Sequence, residues 1–171
     1  QQEAMFTDLE RIAKEQTTMW QAFQELPMVL EQSKKRVTLL ADKLRLIQRS
    51  FERQGLPGLP DTYLSIFYSV SDELERVKQQ LGFSRVNMDD VLRQLSIVTA
   101  DLDTLQERTD SLIEAATITE RLVRKALMYR DNPAVAQSTQ QARYFYETSY
   151  DYEQSMKTLA VILDQIEPGL T

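Results

Sequence analysis

Two long stretches of this chain keep apolar residues at steps of three and four, and one rigid corner separates them from a stretch of half that length. Val37, Leu40, Leu44, Ile47 and Phe51 form the first sustained stripe. That spacing places them on one face of a helix, a face that must find a partner. Upstream, Met5, Leu9, Ile12, Met19, Phe23 and Leu26 keep a similar rhythm, and Pro27 lies between the two blocks. Apolar spacing resumes at Leu30, so the pattern predicts one helix over 1–53, kinked near Phe23 rather than ended.

The corner is RQGLPGLPDTY, residues 53–63, with two of the five prolines and two of the four glycines. Gly55 and Gly58 can take backbone angles that a Cβ opposes. Pro57 and Pro60 fix φ and push Leu56 and Leu59 toward extended conformations. Two readings follow: a helix–loop–helix corner whose leucines tuck over the bundle end, or a recognition loop that presents them. Asp61 is the expected N-cap of a second helix, 62–81, carried by Phe67, Val70, Leu74, Val77 and Leu81 and stopped by Gly82. Asn87 caps a third, with Asp89 and Asp90 in its first turn, where the helix dipole favours acids.

The third stripe runs through Val91, Leu95, Val98, Leu102, Leu105 and Leu112. It turns small and polar at Thr109, Ala116 and Thr119, and apolar again at Leu122, Val123 and Ala126. Nothing stops it before Asp131, Asn132 and Pro133, so a helix over 88–130 is predicted. Two short helices follow, one through Val135, Thr139, Ala142 and Tyr146, the other through Tyr152, Met156, Leu159, Leu163 and Ile166. YETSYDY joins them, and Pro168 with Gly169 ends the pattern. Tyr144, Phe145, Tyr146, Tyr150 and Tyr152 are expected to fill this hairpin and its junction, since large rings dominate small cores.

These lengths predict an all-α rod of two bundles. Residues 28–110 would form one three-helix bundle. Residues 1–27 and 111–168 would form a second, closed by the C-terminal hairpin, with Trp20 packed inside it. Charge fits antiparallel packing. Residues 34–53 carry seven Lys or Arg against two acids, and residues 61–110 carry ten acids against five bases. Exposed pairs add little stability each, but such a pattern selects neighbours.

Composition narrows the function. No cysteine and no histidine are present in 171 residues, so thiol chemistry, His-based triads and ordinary zinc sites are excluded. The paired acids Asp89 and Asp90, or Asp101 and Asp103, read as caps and solvated surface, since near neighbours do not share a helical face. A net charge of −6 disfavours general nucleic-acid binding, and no stacking aromatics interleave with the bases of KKRVTLLADKLRLIQR. The longest apolar run, LAVIL at 159–163, is too short to cross a bilayer.

Taken in order, QGLPGLPDTYLSIFYSVSDELERV, VNMDDVLRQL and ITERLVRKALMYRDNPAVAQSTQQARYFYETSYDYEQSMKTLAVILDQIEPG resemble the C-terminal end of the EzrA family of septation ring formation regulators from Gram-positive bacteria with low genomic GC content. The resemblance is specific over residues 50–170, and residues 1–49 fit it as generic coiled helix. It implies a spectrin-like fold: elongated bundles sharing long antiparallel helices. It also implies a membrane-anchored scaffold, with one N-terminal transmembrane helix and a cytoplasmic arch at the division septum. Such a scaffold binds the tubulin-like protein FtsZ, restrains ring assembly away from midcell, links the ring to other division proteins, and has neither enzymatic activity nor a cofactor. The rival reading is a helical spacer or oligomerisation module whose partner binding resides elsewhere in a longer protein.

The family carries a polar stretch resembling Q-Y-A-N-R-Y-R-S, associated with recruitment to midcell. The matching stretch here is RKALMYRD. Arg124 stands for the Gln, Leu127 for the Asn and Met128 for the Arg, while Tyr129 and Arg130 are kept. The candidate protein-interaction residues are therefore Arg124, Leu127, Met128, Tyr129 and Arg130, with Leu56 and Leu59 of the corner. For Leu127 two placements stay open: the internal seam, or an exposed apolar patch with Met128 between the two arginines.

Overall fold

The computed structural model describes the backbone of residues 2–168 and the side chains of 4–16 and 26–168. Five α-helices follow one another: α1 (Gln2–Gln54), α2 (Asp61–Leu81), α3 (Met88–Ala126), α4 (Pro133–Tyr144) and α5 (Tyr152–Ile166). A 3-10 turn, Leu127–Tyr129, prolongs α3, and a π-helical turn, Phe145–Ser149, prolongs α4. No strand occurs among the described residues. The 53 residues of α1 correspond to about 80 Å at roughly 1.5 Å per residue. Its helix runs through Pro27 without ending.

The caps explain where the chain turns. Asn87 accepts a hydrogen bond from the Asp90 amide at 3.2 Å and starts α3. Asn132 caps α4 through the Ala134 amide, with Pro133 in the first turn. Asp151 caps α5 through the Gln154 amide. Asp61 is not the cap expected of it. Pro60 occupies that position in an extended conformation, and Asp61 lies in the first turn of α2, where its charge meets the helix dipole.

Three apolar clusters line up along α3. The first joins Val37, Ile47 and Phe51 of α1 to Val70, Leu74 and Val77 of α2 and Leu95, Val98, Leu102 and Leu105 of α3. The last joins Leu122 and Ala126 of α3 to Val135 and Ala142 of α4 and Leu159 and Leu163 of α5. Between them Ala115, Ala116 and Tyr152 form a small joint, against which Leu56, Leu112, Tyr146, Tyr150 and Met156 pack. The small, polar part of the α3 seam lies here. Tyr63 and Thr109 share a buried hydrogen bond of 2.8 Å, and Thr119 donates to the Ala115 carbonyl and toward that of Tyr152.

The expected second bundle needs correction. Among the described residues its core draws on 111–168, with Leu56 of the corner packed beside Ala115, Ala116 and Tyr152. Met5, Phe6, Leu9, Ile12, Leu26 and Met28 are all exposed, and no described residue of 1–27 enters it. The reason is antiparallel geometry. α1 ends at the corner and α2 returns along it, so α3 runs back up and continues past the corner. The start of α1 leaves the first bundle at the opposite end. Trp20, expected inside that bundle, lies outside the described side chains.

Helix contacts carry some of the predicted charge register. Lys43 of α1 pairs with Asp103 of α3 at 2.8 Å, and Arg36 donates to Thr99. Glu73 of α2 works against the trend: burial, and then Asp101 beside it, raise its carboxyl above the usual range.

The corner and the hairpin clasp each other. A Cβ built on Gly58 would stand 2.4 Å from the Tyr150 ring, and the Tyr152 hydroxyl donates to the Gly58 carbonyl. Tyr150 reaches this position from a left-handed conformation (φ 56°) that ends the π-helical turn, with the Asp151 amide bonded to the Phe145 carbonyl. Gly55 also has positive φ, which lets the chain leave α1. Replacing Gly58 by Ala should cost about 1–3 kcal/mol in denaturant unfolding by overpacking this contact. Adding Tyr150→Ala should recover part of that loss, since the two sites touch.

Burial pushes the Tyr63 hydroxyl up to about 12. Its folded value exceeds the unfolded value near 10, so its contribution is complete below pH 10 and is lost as the pH rises toward 12. Stability followed by chemical unfolding should fall over that window, by up to about 1.4 kcal/mol per pH unit from this group. Tyr63→Phe should flatten that part of the slope.

Candidate partner-binding surface

The last turn of α3 and the 3-10 turn after it place the sequence-predicted residues at one end of the rod. Arg124 is exposed, and its Nε donates to the Glu120 carbonyl one turn back at 3.4 Å. Leu127 is 59% exposed and Met128 80% exposed. The inner seam continues through Leu122 and Ala126 instead, so Leu127 belongs to the surface. Arg130 is exposed as well. Tyr129 is turned inward: it packs on the second core, and its hydroxyl donates to Glu167 Oε2 at 2.6 Å. That bond ties the end of α3 to the end of α5 and raises the Tyr129 hydroxyl above its ordinary value.

The change from 3.6 to three residues per turn at Leu127 gives the end its shape. The Asn132 amide bonds back to the Tyr129 carbonyl at 2.9 Å, closing the bend into α4. Side chains at 127 and 128 therefore project from a tightened helix end and not from a continuing seam.

Leu56 and Leu59 do not share this surface. Both are half-buried against the first core, and Leu56 also touches the joint cluster. From Ala116, which belongs to that joint, to Leu127 the rise along α3 is about 17 Å. The corner is thus a packed element in the middle of the rod.

A cleft between α3 and α4 adjoins the exposed end, and the sequence pattern alone did not disclose it. α3 and α4 each pack along α5 but scarcely meet each other. Thr119, Val123 and Ala142 line the gap, whose volume is about 450 Å³, and Tyr146 closes one end by donating to Glu120 at 3.1 Å. Burial first, and then that bond to Glu120, raise the Tyr146 hydroxyl above the ordinary tyrosine value. Arg124 and Arg143 stand on opposite walls, with Arg143 4.0 Å from Glu147. The one sequence signal for the cleft is the small residue Ala142, whose short side chain lines the gap on the α4 side. Of the five rings near the hairpin, Tyr152 is fully buried, while Tyr144 is 65% exposed. Among the described residues, no group of three or more acidic side chains converges as a metal site, and no helix is long and apolar enough to cross a membrane.

The family model for septation ring formation regulator EzrA matches the chain over residues 1–171. The chain belongs to the EzrA family. An EzrA septation ring formation regulator from Streptococcus sanguinis is 35% identical over 170 residues, covering 99% of this chain and 30% of that relative. The EzrA of Lactiplantibacillus plantarum is 34% identical over 145 residues, covering 83% of this chain and 25% of its own length. That of Streptococcus suis is 28% identical over 164 residues, with 95% and 29% covered. The chain thus spans less than a third of the length of these EzrA relatives. No solved structure gives a significant match.

Surface and seam at the end of α3 can be separated by truncation. Leu122→Ala should cost about 2–5 kcal/mol in denaturant unfolding, as a fully buried leucine. Leu127→Ala should stay within about 0.5 kcal/mol of the parent protein, as an exposed one.

Proposed function

We propose that this chain is the C-terminal part of a scaffold that binds FtsZ, restrains assembly of the division ring and links that ring to other division proteins. The observation that carries the reading is the family match over all 171 residues. The septation role belongs to the family, and FtsZ binding by this stretch is the proposed step. The longer protein would supply the membrane anchor and hold this part on the cytoplasmic side, at the septum.

Two features support the reading. One continuous helix joins the two ends of the rod, because α3 takes part in all three apolar clusters. Its far end presents Arg124, Leu127, Met128 and Arg130 together, an apolar pair between cations. Such a patch suits the apolar, acidic tail of a tubulin-like subunit, with the arginines supplying orientation and encounter rate. At the opposite end, Met5, Leu9, Ile12 and Leu26 present an uncovered stripe. We assign it to contact with another part of the longer protein, so that α1 is shared between successive bundles. The same stripe favours the second reading, a spacer or oligomerisation module, in which the stripe makes the only functional contact.

A titration of the 171-residue chain against polymerising FtsZ tests the proposal. The parent chain should co-sediment with the polymer. Arg124→Glu with Arg130→Glu should weaken binding at least about tenfold without shifting thermal unfolding. Binding that survives this reversal would exclude the patch. Binding by a longer EzrA but not by this chain would leave the spacer reading.

A further inference from the structure

We propose that Glu73 of α2 and Asp101 of α3 form a proton-sharing latch across the first bundle, closed when the two carboxyls hold one proton between them and released when both ionise. The latch does not depend on FtsZ binding.

The pair sits at the margin of the first core. Val70, Leu74 and Val77 neighbour Glu73 along α2, and Val98 and Leu102 flank Asp101 on α3, all of them buried. Glu73 and Asp101 are themselves half-buried. Glu73 Oε2 is shut off from the surface, and no protein donor reaches it. Such an oxygen costs free energy while it carries charge. Two carboxylates are acceptors only, so neither can satisfy the other. One proton changes that. It turns the Glu73 carboxyl into a donor and Asp101 into its acceptor, and it removes the like-charge contact in the same step.

No cation takes the place of that proton. Burial, then the hydrogen bond to Asp101, then the Asp101 charge favour the neutral form of Glu73, and Arg76 and Ser69 on its own helix oppose them. Among the described residues Arg76 closes no ion pair with either carboxyl, and Arg93 of α3 is engaged with Asp90. The cations that α1 sends to α3 go elsewhere, Lys43 to Asp103 and Arg36 to Thr99. A groove of about 340 Å³, lined by Glu73, Arg76, Arg93, Gln94, Ile97 and Val98, lies against the pair and gives the proton a path to solvent. In the folded chain the Glu73 carboxyl titrates above its ordinary value of 4.5. Its contribution to stability is therefore complete below that value and is lost as the pH rises through the folded one. The first bundle grips its short helix more tightly as the latch takes up its proton.

The test compares denaturant unfolding of the 171-residue chain and of Glu73→Gln between about pH 4 and about pH 8. Glutamine keeps the shape of the protonated acid and offers Asp101 a donor at every pH. The two proteins should differ least at the acid end and diverge as the pH rises. At the alkaline end the unfolding constant of the variant should be at least about twofold lower, as expected for side chains in contact. Asp101→Asn should diverge in the same direction, and the double variant should gain no more than either single one. Carbon-13 resonances of the Glu73 carboxyl read the proton directly: their midpoint should lie above the ordinary value and move down in Asp101→Asn. A difference between parent and Glu73→Gln that stays constant across the pH range overturns the latch, since the role is then one of shape. So does a Glu73 midpoint that Asp101→Asn leaves in place, which would assign it to burial alone. Calcium chloride that stabilises the parent at the alkaline end, but not Glu73→Gln, at matched ionic strength would make a metal ion the closing element and likewise overturn it.

Discussion

A glycine under a tyrosine ring seats the C-terminal hairpin of this molecule on the corner of its first bundle. The corner that reverses α1 into α2 would by itself end one bundle, and the hairpin of α4 and α5 would by itself form another. Gly58 lets the Tyr150 ring lie directly on the corner backbone, and Tyr152 hydrogen-bonds that same backbone. The Tyr146 ring meets that of Tyr152 edge-on at 4.7 Å, and its hydroxyl reaches Glu120 on α3. The clasp therefore sets the seat of the hairpin on α3, and through Tyr146 the closed end of the α3/α4 cleft. Tyr150 occupies a left-handed conformation that side chains normally avoid. The packing it gains against Gly58 offsets that cost.

Much of the fold was legible because it is local. Three-residue and four-residue apolar steps located all five helices, and Asn87, Pro133 and Gly82 marked ends that the structure keeps. Where the reading failed, the deciding physics was long-range or fine-grained. Asp61 carried the right chemistry for a cap, but Pro60 took the extended position first. The pairing of 1–27 with 111–168 matched apolar stripe to apolar stripe and neglected the direction in which an antiparallel chain must leave. Tyr152 and Gly58 are separated by 94 positions, and no periodicity links them, although a glycine in a corner and a tyrosine-rich junction were each conspicuous.

The candidate surface divides in the same way. Leu127 and Met128 raised the question of seam or surface, which a helical wheel leaves open near a helix end. The structure resolves it by tightening the last turn, so that Ala126 is inside and both apolar side chains are outside. Leu56 and Leu59, for which packing over the bundle end and a recognition loop were both open, pack on the first core, and Leu56 also on the joint. The cleft could not be read from any one segment. It arises because two helices, α3 and α4, share α5 as a neighbour and scarcely meet each other.

The staggered exit of the two long helices has a mechanical consequence. A load applied at the α3 end passes down a single covalent helix through all three apolar clusters before it must cross to α1. That crossing is made by side-chain packing in the first bundle and by the Lys43–Asp103 pair, not by a loop. The corner and the α2–α3 connection lie outside this load path. Tension along the rod therefore shears one packed interface in parallel, with many contacts resisting at once, instead of peeling a hairpin open one turn at a time.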